Sequence, residues 1–558
     1  MRKSLLVTAL LFLMSPVFCQ SNQLPFTKGV NLLNYLDTCY KDQLPHLNKY
    51  DEADFACFKS MGIEVIRLPI HFDLVMEPYT TGKISDIILE KLDQVCDWAE
   101  KYQIYLIIDN HSLSTEEYAD VPPSAKQYKE HLEAVWSQVA PRYKDRSQYI
   151  IYELMNEPKD KGDIVTKWIK IQQEIIELIR GYDPERDIVV TGTDFSNIDT
   201  IVKMKPYSDP HLIYTFHFYE PFYFTHQGVY WMDKTIKALK DIPFPYNKSR
   251  FPKLQGDAAV LTDYFQNQYK QEGTAKYINS RIKKVADWAK KNKTRVLCGE
   301  LGVTVWTNPT DRLEWIKTTV AALNSNNIPY CTWGMDDSFG LLKSDDYRLF
   351  FPDDLDKAAV EATGLTMPDA ELAEKAGCDI SKNSPYVVFD GVQGSGVGLG
   401  FWGTVKRTRA DNSLNDYMSV SYPGDSNGLR FSLPKKLSSK VADNRQSLFV
   451  SFKVKFANSN QEFRVHLMDS DGGEEALPWR KTYTVKASAY PVNKWVTVEI
   501  PISAFEDSYG TWSDKTQKWH SLPCDFDWAR LESLYFDFDD YDNKNTGDIL
   551  IDDIMITK

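Results

Sequence analysis

The sequence predicts a (β/α)8 barrel followed by an all-β sandwich, an α/β fold with a second domain of jelly-roll type. Between residues 24 and 365, eight short apolar runs alternate with longer stretches whose apolar residues recur three and four apart. Beyond residue 386 the pattern changes to short alternating segments separated by Gly, Asn and Asp, without a helical period. Polar or aromatic residues close six of the eight runs, as expected where strands end at one face of a barrel.

The eight predicted barrel strands are the apolar runs of the first region. Amphipathic stretches such as residues 89–102 and 164–180 lie between them and predict helices. A doubly wound open sheet is the alternative arrangement, but no glycine-rich phosphate loop follows any of the runs. The runs are residues 28–32, 64–68, 105–109, 150–154, 188–191, 212–216, 295–298 and 329–333.

The N-terminal segment is typical of an export signal. Met1-Arg2-Lys3 is basic, and the apolar stretch at residues 5–17 is too short to span a membrane. We expect residues 1–19 to be removed by cleavage after Cys19. A lipid on Cys19 is the rival hypothesis, although Phe18 is bulkier than lipoprotein signals favour. The mature chain is therefore predicted to be secreted or periplasmic, without a membrane span.

Charge and aromatic content limit the classes of partner. The 558-residue chain carries a formal net charge of −13, and loss of Arg2 and Lys3 makes it −15. An acidic exported protein is poorly suited to bind nucleic acid or anionic lipid. Aromatic residues make up 13% of the chain, including 14 Trp and 31 Tyr, which suits stacking on sugar rings. We expect a monomer whose partner is a neutral polysaccharide or oligosaccharide.

Two glutamates follow separate predicted strands. Glu157 lies in Asn156-Glu157-Pro158, and Glu300 lies in Gly299-Glu300. A buried carboxylate is costly unless it has a partner or a chemical task. Two carboxyls about 5 Å apart are what a retaining glycosidase needs, since one protonates the leaving oxygen and the other attacks the anomeric carbon.

Further side chains close neighbouring strands. Each one taken alone is more often structural, but polar or aromatic residues at six strand ends indicate one shared site. The further residues are Arg67, His111, Asn156, His217, Tyr219 and Trp333, and with Glu157 and Glu300 they occupy six strand ends and form the predicted site.

The ensemble resembles glycoside hydrolase family 5, a family of retaining barrels that includes many cellulases and mannanases. The resemblance covers residues 24 to about 365. It implies that Glu157 is the acid/base and Glu300 the nucleophile. The motifs, in order, are Ile66-Arg67-Leu68-Pro69, Asp109-Asn110-His111, Asn156-Glu157-Pro158, His217-Phe218-Tyr219, Gly299-Glu300 and finally Trp333.

The resemblance also implies roles for the supporting residues. Arg67 and Tyr219 would hold Glu300 ionised by charge and hydrogen bonds. A cation beside Glu300 lowers the pKa of that carboxyl, and the negative charge of Glu300 raises the pKa of Glu157. This chemistry requires no cofactor and no metal, and none is expected.

The remaining residues of the predicted site would contact the sugar. By the same resemblance, Asn156 would bind the 2-hydroxyl, and His111 and His217 would line the site. Trp333 would be the stacking floor under the sugar that precedes the cleavage point.

Two departures from the family pattern concern specificity. Many cellulases of the family have Asp-x-His-His after the third strand, whereas Ser112 occupies the second His position here. The loop Thr225-His226-Gln227-Gly228, with Trp231, is also not general to the family. We expect both near the substrate. The first expectation is an endo-β-1,4-glucanase; the alternatives are a β-mannanase or exo-acting β-glycosidase and, in another class, a non-catalytic glycan-binding protein.

The C-terminal part is expected to form a separate module after a linker at residues 366–385. Residues 386–558 resemble the β-sandwich modules appended to polysaccharide-degrading enzymes. Asp390, Asp552 and Asp553 are candidate calcium ligands, with solvated turn carboxylates as the alternative. The candidate sugar platforms are Trp402, Trp479, Trp512 and Trp519, and ordinary packing is the alternative for each.

Seven cysteines remain after the predicted cleavage, without a Cys-x-x-Cys or zinc pattern. Cys298 and Cys331 each precede a site residue, Glu300 or Trp333, by two positions. We therefore expect the two thiols to point the same way on their strands. A disulfide and a pair of buried free thiols are both open, and free thiols are the expected case.

Overall fold

A computed structural model of the protein describes most of the chain. The predicted signal at residues 1–19, with Cys19, lies outside the described residues. Among the helices described, none is both long enough and apolar enough to cross a membrane. The described residues are 23–37, 47, 49–78, 80–113, 123–159, 161–343, 351–376, 385–391, 393–394, 397–409, 416–422, 426–470, 477–513, 515–540 and 545–558.

Eight parallel strands close into a barrel, which confirms the predicted fold class. They are β1 Lys28–Asn31, β2 Val65–Ile70, β5 Tyr105–Asn110, β6 Ile150–Glu153, β7 Ile188–Thr191, β8 Leu212–Phe218, β9 Arg295–Leu301 and β10 Tyr330–Thr332, with a short hairpin of β3 Met76–Glu77 and β4 Lys83–Ile84 after β2. The strands are hydrogen-bonded in the closed order β1-β10-β9-β8-β7-β6-β5-β2. Each predicted apolar run overlaps one of these strands.

Helices connect the barrel strands, and an insertion of short helices follows β8. The helices are α1 Glu52–Ser60, α2 Asp86–Tyr102, α3 Ala125–Tyr143, α4 Ile164–Arg180, α5 Ile198–Ile201, α6 Phe222–Thr225, α7 Lys234–Lys237, α8 Thr262–Asn267, α9 Tyr269–Glu272, α10 Ala275–Asn292, α11 Pro309–Ser325 and α12 Lys357–Ala362. Local sequence explains several starts: Asp51 and Ser124 form capping boxes at α1 and α3. Asn308 caps α11, and Pro309 follows at the first helical position.

The barrel has two hydrophobic cores, one on each side of its wall. Strand residues that face outward pack with the helices in one large cluster. Strand residues that face inward form a smaller layer, which Leu24 and Phe26 join from the segment before β1. The inward layer consists of Val65, Ile107, Ile151, Val189, Ile213, Leu297 and Cys331. This apolar layer lies on the amino-terminal side of the next inward-facing positions of the strands.

The expectation that Cys298 and Cys331 point the same way is wrong. Cys298 belongs to the helix-side core, whereas Cys331 belongs to the layer inside the barrel. Both are buried free thiols, as expected. The reason is an irregular register between β8 and β9: Phe216 pairs with Cys298, but the next residue, His217, pairs with Glu300. The extra residue in β9 reverses the usual alternation, so spacing by two no longer means the same face.

Part of the predicted linker is folded against the barrel. Residues 366–385 contain the helix α13 Ala370–Ala376, in which Ala373 is buried. The backbone N–H of Asp369 donates to Ser60 Oγ at 3.0 Å, and the N–H of Thr366 donates to the carbonyl oxygen of Met61 at 3.0 Å. This helix therefore covers the end of α1.

The C-terminal region consists of two antiparallel sheets. Its elements are β11 Tyr386–Phe389, β12 Gly398–Trp402, β13 Lys406–Arg409, β14 Asp416–Tyr422, β15 Gly428–Ser432, α14 Lys435–Asn444, β16 Phe449–Phe456, β17 Glu462–Asp469, β18 Arg480–Lys486, β19 Trp495–Pro501, β20 Glu506–Asp507, β21 Thr511–Ser513, β22 Lys518–His520, β23 Leu531–Asp537 and β24 Gly547–Thr557. One sheet has the order β13-β14-β24-β16-β19, with β11 on β24; the other has the order β12-β15-β23-β17-β18-β20. Residues of both sheets share one core, so they form a sandwich.

The candidate calcium ligands do not form a ligand cluster. Among the described residues, the group of three with ligand atoms mutually close enough for a metal lies in the barrel and includes none of these aspartates. Asp553 instead pairs with Lys453 at 2.6 Å. Burial raises the pKa of Asp552 to about 7, and the nearby charges of Asp553 and Asp390 raise it further.

Candidate active site

The predicted site forms where the inward-facing positions of the strands turn polar. Above the apolar layer, the next inward residue of several strands is polar: Arg67 follows Val65, and Glu153 follows Ile151 by two positions. The other inward residues at this level are Asp109, Thr191, Thr215, Gly299 and Trp333. Since the carboxyl ends of all eight strands meet here, the barrel gathers these groups at one face.

A bulge at Gly299 turns Glu300 into the barrel. Gly299 is the unpaired residue between the pairs Phe216–Cys298 and His217–Glu300. A Cβ on Gly299 would lie 2.6 Å from Thr215 Oγ1 and 3.2 Å from His217 Nε2, so only glycine fits without displacing them. The carbonyl oxygen of Gly299 accepts a hydrogen bond of 3.1 Å from Asn31 Nδ2. This hydrogen bond links the bulge in β9 to β1.

Glu157 and Glu300 approach each other closely, with His217 between them. One carboxyl oxygen of each glutamate and one nitrogen of His217 all lie within 4.8 Å of one another. His217 Nδ1 is 2.7 Å from Glu157 Oε1 and 3.3 Å from Glu300 Oε2. The Glu157 side chain remains 26% exposed, whereas that of Glu300 is only 5% exposed. The arrangement leaves one carboxyl reachable from solvent and holds the other deeper.

Two donors hold the Glu300 carboxyl. Arg67 Nη1 donates to Oε1 at 2.9 Å, and the Tyr219 hydroxyl donates to Oε2 at 2.9 Å. Burial and the neighbouring carboxylates raise the pKa of Tyr219 well above its usual range, so its hydroxyl keeps its proton. Both contacts favour the ionised form of Glu300.

Arg67 itself is completely buried and is held on every side. Glu153 accepts from Nε and Nη2 at 2.7 and 2.9 Å in a bidentate pair. Asp109 Oδ2 lies 2.9 Å from Nη2, and Asn31 Oδ1 accepts from Nη1 at 3.0 Å. The guanidinium plane is therefore fixed by carboxylates of three different strands, including Glu300.

Burial shifts the ionisation of the central groups. It raises the pKa of Glu157 and of Glu300 to about 7 each, and it lowers the pKa of His217 to about 4. His217 is therefore neutral near pH 7. Because Arg67 and Tyr219 both donate to Glu300, the negative charge of the pair resides on Glu300 and the proton on Glu157.

A second chain of contacts orients Asn156. Asp109 Oδ2 lies 2.7 Å from His111 Nδ1, and His111 Nε2 lies 3.2 Å from Asn156 Nδ2. Asn156 Oδ1 accepts from Arg67 Nη2 at 2.9 Å, which fixes the direction of the amide. Burial lowers the pKa of His111 well below its usual range, so the ring is neutral. The His111 ring stacks on Trp333 with centroids 5.6 Å apart.

All eight residues of the predicted site meet at this face, and three further ones join them. Asn31, Asp109 and Glu153 are 0–1% exposed and contact Arg67 directly. Sequence reasoning missed their roles, although each ends or nearly ends a predicted strand. A polar residue in an otherwise apolar run was the signal that could have identified them.

Ser112 and residues of the loop after β8 contact the segments next to the site rather than the two glutamates. Ser112 is fully buried, and its hydroxyl accepts a 3.2 Å hydrogen bond from the backbone N–H of Asp73. Thr225 Oγ1 donates to the carbonyl oxygen of Tyr219 at 2.6 Å, and the His226 ring packs edge-on against that of Tyr219. These residues brace a loop and Tyr219. Trp231 is 54% exposed.

A strained turn that contacts Pro158 carries an exposed aromatic side chain. Asp194, Phe195 and Ser196 have consecutive φ values of 59°, 55° and 56°, a left-handed run that L-residues rarely adopt. Phe195 is 44% exposed, and its ring faces Lys159 Nζ at 5.4 Å. The carbonyl oxygen of Ser196 accepts from the His217 N–H at 3.0 Å, which links this turn to the site.

Comparison with known proteins identifies the family of the barrel. The profile of the family Cellulase (glycosyl hydrolase family 5) matches residues 27–338, more than half of the chain. Endoglucanase 3 of Fibrobacter succinogenes is 27% identical over 57% of this chain and 50% of its own length. Endoglucanase C of Acetivibrio thermocellus is 23% identical over 55% of this chain and 90% of its own.

A third similarity extends into the sandwich. Endoglucanase H of Acetivibrio thermocellus is 25% identical over 553 residues, which cover 95% of this chain and 53% of that protein. The chain thus spans about half the length of two of these relatives.

Proposed function

Because this chain belongs to glycosyl hydrolase family 5, we propose that it is a retaining endo-β-1,4-glucanase that cleaves polysaccharide by double displacement. The observation that carries the proposal is the close approach of Glu157 and Glu300, with carboxyl oxygens within 4.8 Å. An inverting enzyme must fit a water between its carboxyls and separates them by about 6.5–9.5 Å. The shorter separation supports direct attack by one carboxylate.

In the first step, a Glu300 oxygen attacks the anomeric carbon as the glycosidic C–O bond breaks. Glu157 gives its proton to the departing oxygen, so the leaving sugar departs as a neutral alcohol. In the second step, ionised Glu157 takes a proton from water, whose oxygen displaces Glu300 from the sugar. Both carboxyls return to their starting states, and two inversions give net retention.

The contacts around the pair support these two roles. Arg67 and Tyr219 donate to Glu300, which keeps it an anion and therefore a nucleophile. Glu157 has the raised pKa and the residual exposure that a proton donor to bound substrate needs. His217 contacts both carboxyls and stays neutral, so it orients them without adding charge.

The remaining predicted residues would bind the sugar. Asn156 is held at its amide oxygen by Arg67, which supports its assignment to the 2-hydroxyl. Trp333 is partly buried and has the His111 ring stacked on it, which fixes the indole and supports its assignment as a stacking floor. The relatives named endoglucanases support a β-1,4-glucan as substrate. A β-mannan and exo-action are the alternatives that the experiment separates.

The test is hydrolysis of a panel of β-glucans and β-mannans by the full chain, with products sized. Endo-action on β-1,4-glucan predicts a rapid fall in polymer length, whereas short products released at constant polymer length would contradict it. Proton NMR should show the β anomer as the first product; an α anomer appearing first would contradict double displacement. Glu300→Gln is the control, which should lose turnover and keep the circular dichroism of the parent.

We also propose export, a monomeric state and a modular division of the chain. The basic start and short apolar stretch of residues 1–19 support removal of a signal before Gln20. N-terminal sequencing of exported protein tests this, and a lipid on Cys19 would contradict it.

Light scattering tests the monomeric state, since the full chain has a mass of 64.3 kDa. The proposed barrel spans 24–365, and the proposed glycan-binding sandwich spans 386–558.

A further inference from the structure

One sheet of the sandwich has an apolar face and a polar, aromatic face. In β15, β23 and β17 alternate residues are buried in the core, among them Leu429, Phe536 and Val465. The residues between them point away from the core, as strand alternation requires. They include Arg430, Tyr535 and His466, which pair side by side across the three strands. The outer face of this sheet therefore consists of residues that are not part of the hydrophobic core.

This outer face contains a groove of about 230 Å³. Its main lining residues are Trp402, Arg430, Met468, Arg480, Trp512 and Tyr535. Trp402 is 40% exposed and Trp512 is 43% exposed, so apolar ring surface faces the solvent in the groove. Of the other Trp candidates, Trp519 is 52% exposed, whereas Trp479 is only 6% exposed and offers no platform.

The aromatic floor of the groove is rigid. Trp402 pairs with Gly428 in the sheet, and a Cβ on Gly428 would lie 2.1 Å from the Trp402 ring. The indole therefore lies flat across a position where only glycine fits. Its ring stacks on Tyr535 with centroids 5.4 Å apart, and Tyr535 stacks on His466 at 5.3 Å. Stacked rings already held in position lose little conformational entropy when a ligand binds.

Polar groups beside the rings are also held in position. Arg430 Nε donates to Ser533 Oγ at 3.0 Å, and its Nη2 donates to Glu532 at 2.8 Å. The Arg480 guanidinium lies 5.3 Å from the centroid of the Trp519 ring. Both guanidinium groups border the groove with N–H donors, which suit hydroxyl oxygens. Gly400, opposite Arg430 in β12, has no atom within 4 Å of an added Cβ, so there is room for a side chain beside Arg430 at the border of the groove.

We propose that this groove binds a β-1,4-glucan chain, the polymer that the barrel is proposed to cleave. This inference rests on the proposed function for its choice of polymer. A glucan chain with equatorial substituents has flat apolar faces for Trp402 and Tyr535, and hydroxyls along its edges for Arg430 and Arg480. The chain's net charge of −13 disfavours nucleic acid at the same aromatic surface. A second site on one chain raises the effective concentration of polymer near the barrel.

The test measures binding of full-length protein carrying Glu300→Gln, which prevents hydrolysis during the assay. Depletion isotherms on regenerated cellulose and on insoluble β-1,4-mannan give the affinity for each polymer. Trp402→Ala removes the platform, and Gly400→Leu places a bulky side chain beside Arg430, at the border of the groove, without removing a contact. We expect each substitution to weaken cellulose binding about tenfold or more, as loss of a central aromatic anchor does.

The matched control is Trp495→Ala on the opposite sheet. Trp495 is 41% exposed, nearly the same as Trp402, but lies on β19. This variant should bind cellulose as the parent does. Thermal unfolding of all variants identifies any that misfold. If the Trp402→Ala protein misfolds, the Gly400→Leu protein still tests the proposal.

Three results would overturn the proposal. One is equal cellulose binding by the parent, Trp402→Ala and Gly400→Leu proteins. A second is no retention of the parent on either polymer, and a third is binding of mannan in preference to cellulose. Hydrolysis by the chain with native Glu300 is measured separately. Loss of groove binding with intact hydrolysis refutes the groove alone, whereas a chain that binds but never hydrolyses refutes the proposed enzyme.

Discussion

Glu153 accepts two hydrogen bonds of 2.7 and 2.9 Å from Arg67, and both side chains are buried inside the barrel. The same guanidinium donates to Glu300 at 2.9 Å from its other nitrogen. Glu153 therefore acts on the proposed nucleophile through Arg67, without touching the reacting atoms. A bidentate pair fixes the plane of the guanidinium, so the direction of the Glu300 contact depends on Glu153.

The first prediction concerns Glu153→Gln. We expect kcat/KM on cello-oligosaccharides to fall about 10- to 100-fold, since a small misorientation of Glu300 is enough for such a loss. We expect the free energy of unfolding to fall by about 3 kcal/mol, because Arg67 loses a buried partner. The acid limb of the pH–rate profile should also move. The charge of Arg67 lowers the pKa of Glu300, and Glu153→Gln removes a carboxylate that pairs with this charge.

Glu52→Gln is the matched control for this change. Glu52 also pairs with a cation, Lys101, but its side chain is 48% exposed. Kinetics and stability should stay close to the parent values, since solvent screens an exposed ion pair. A Glu153→Gln protein with parental kinetics and an unmoved pH profile would show that Arg67 does not need this partner.

The second prediction concerns the bulge. Gly299→Ala places a Cβ 2.6 Å from Thr215 Oγ1 and 3.2 Å from His217 Nε2, so the wall near His217 must shift. We expect kcat to fall about tenfold or more and stability to fall by about 1–3 kcal/mol. Gly181→Ala, at the end of α4 with φ of −65°, is the control and should leave kcat unchanged. Full activity in the Gly299→Ala protein would show that the site does not depend on a glycine at the bulge.

The third prediction separates the two carboxyls. Glu157→Ala should slow hydrolysis of cello-oligosaccharides, whose leaving groups need a proton, far more than that of activated aryl glycosides. The measurement is kcat/KM on both substrate classes under identical conditions. Equal losses on both classes would remove Glu157 from the acid role.

The fourth prediction concerns pH and stability. Burial raises the pKa of Glu157, which carries the proton of the pair, to about 7, above the value of about 4.3 for an unfolded Glu. Such groups stabilise the fold fully below the unfolded pKa, and this contribution is lost as pH rises through about 7. The free energy of unfolding should therefore decline between pH 5 and about 8. Denaturant titrations of Glu157→Gln should show a smaller decline; an equal decline would place the buried proton elsewhere.

Several features of the site were predictable because they are local in sequence. Glu157 and Asn156 lie in one short motif directly after an apolar run, and Glu300 follows another such run. A strand that ends in a polar residue places that residue at the active face of any such barrel. Ser112 was harder to interpret, because its position next to His111 does not reveal that its side chain turns inward toward Asp73.

The sandwich shows the same division. Alternating segments predicted its strands, but tryptophan content alone did not distinguish Trp402 from Trp479. The first lies flat over Gly428 at the surface, and the second is buried. The difference depends on which residue stands opposite in the neighbouring strand, and that pairing joins residues far apart in the sequence.

By itself the sequence determined the barrel, the sandwich and the eight residues that gather at the strand ends, because periodicity and strand-end position are properties of short segments. Only the tertiary structure decided how those residues are held. The bulge at Gly299, the grip of Glu153 on Arg67 and the separation of Cys298 from Cys331 all depend on register between neighbouring strands. Register is set by packing of the whole barrel wall, so no single segment contains it.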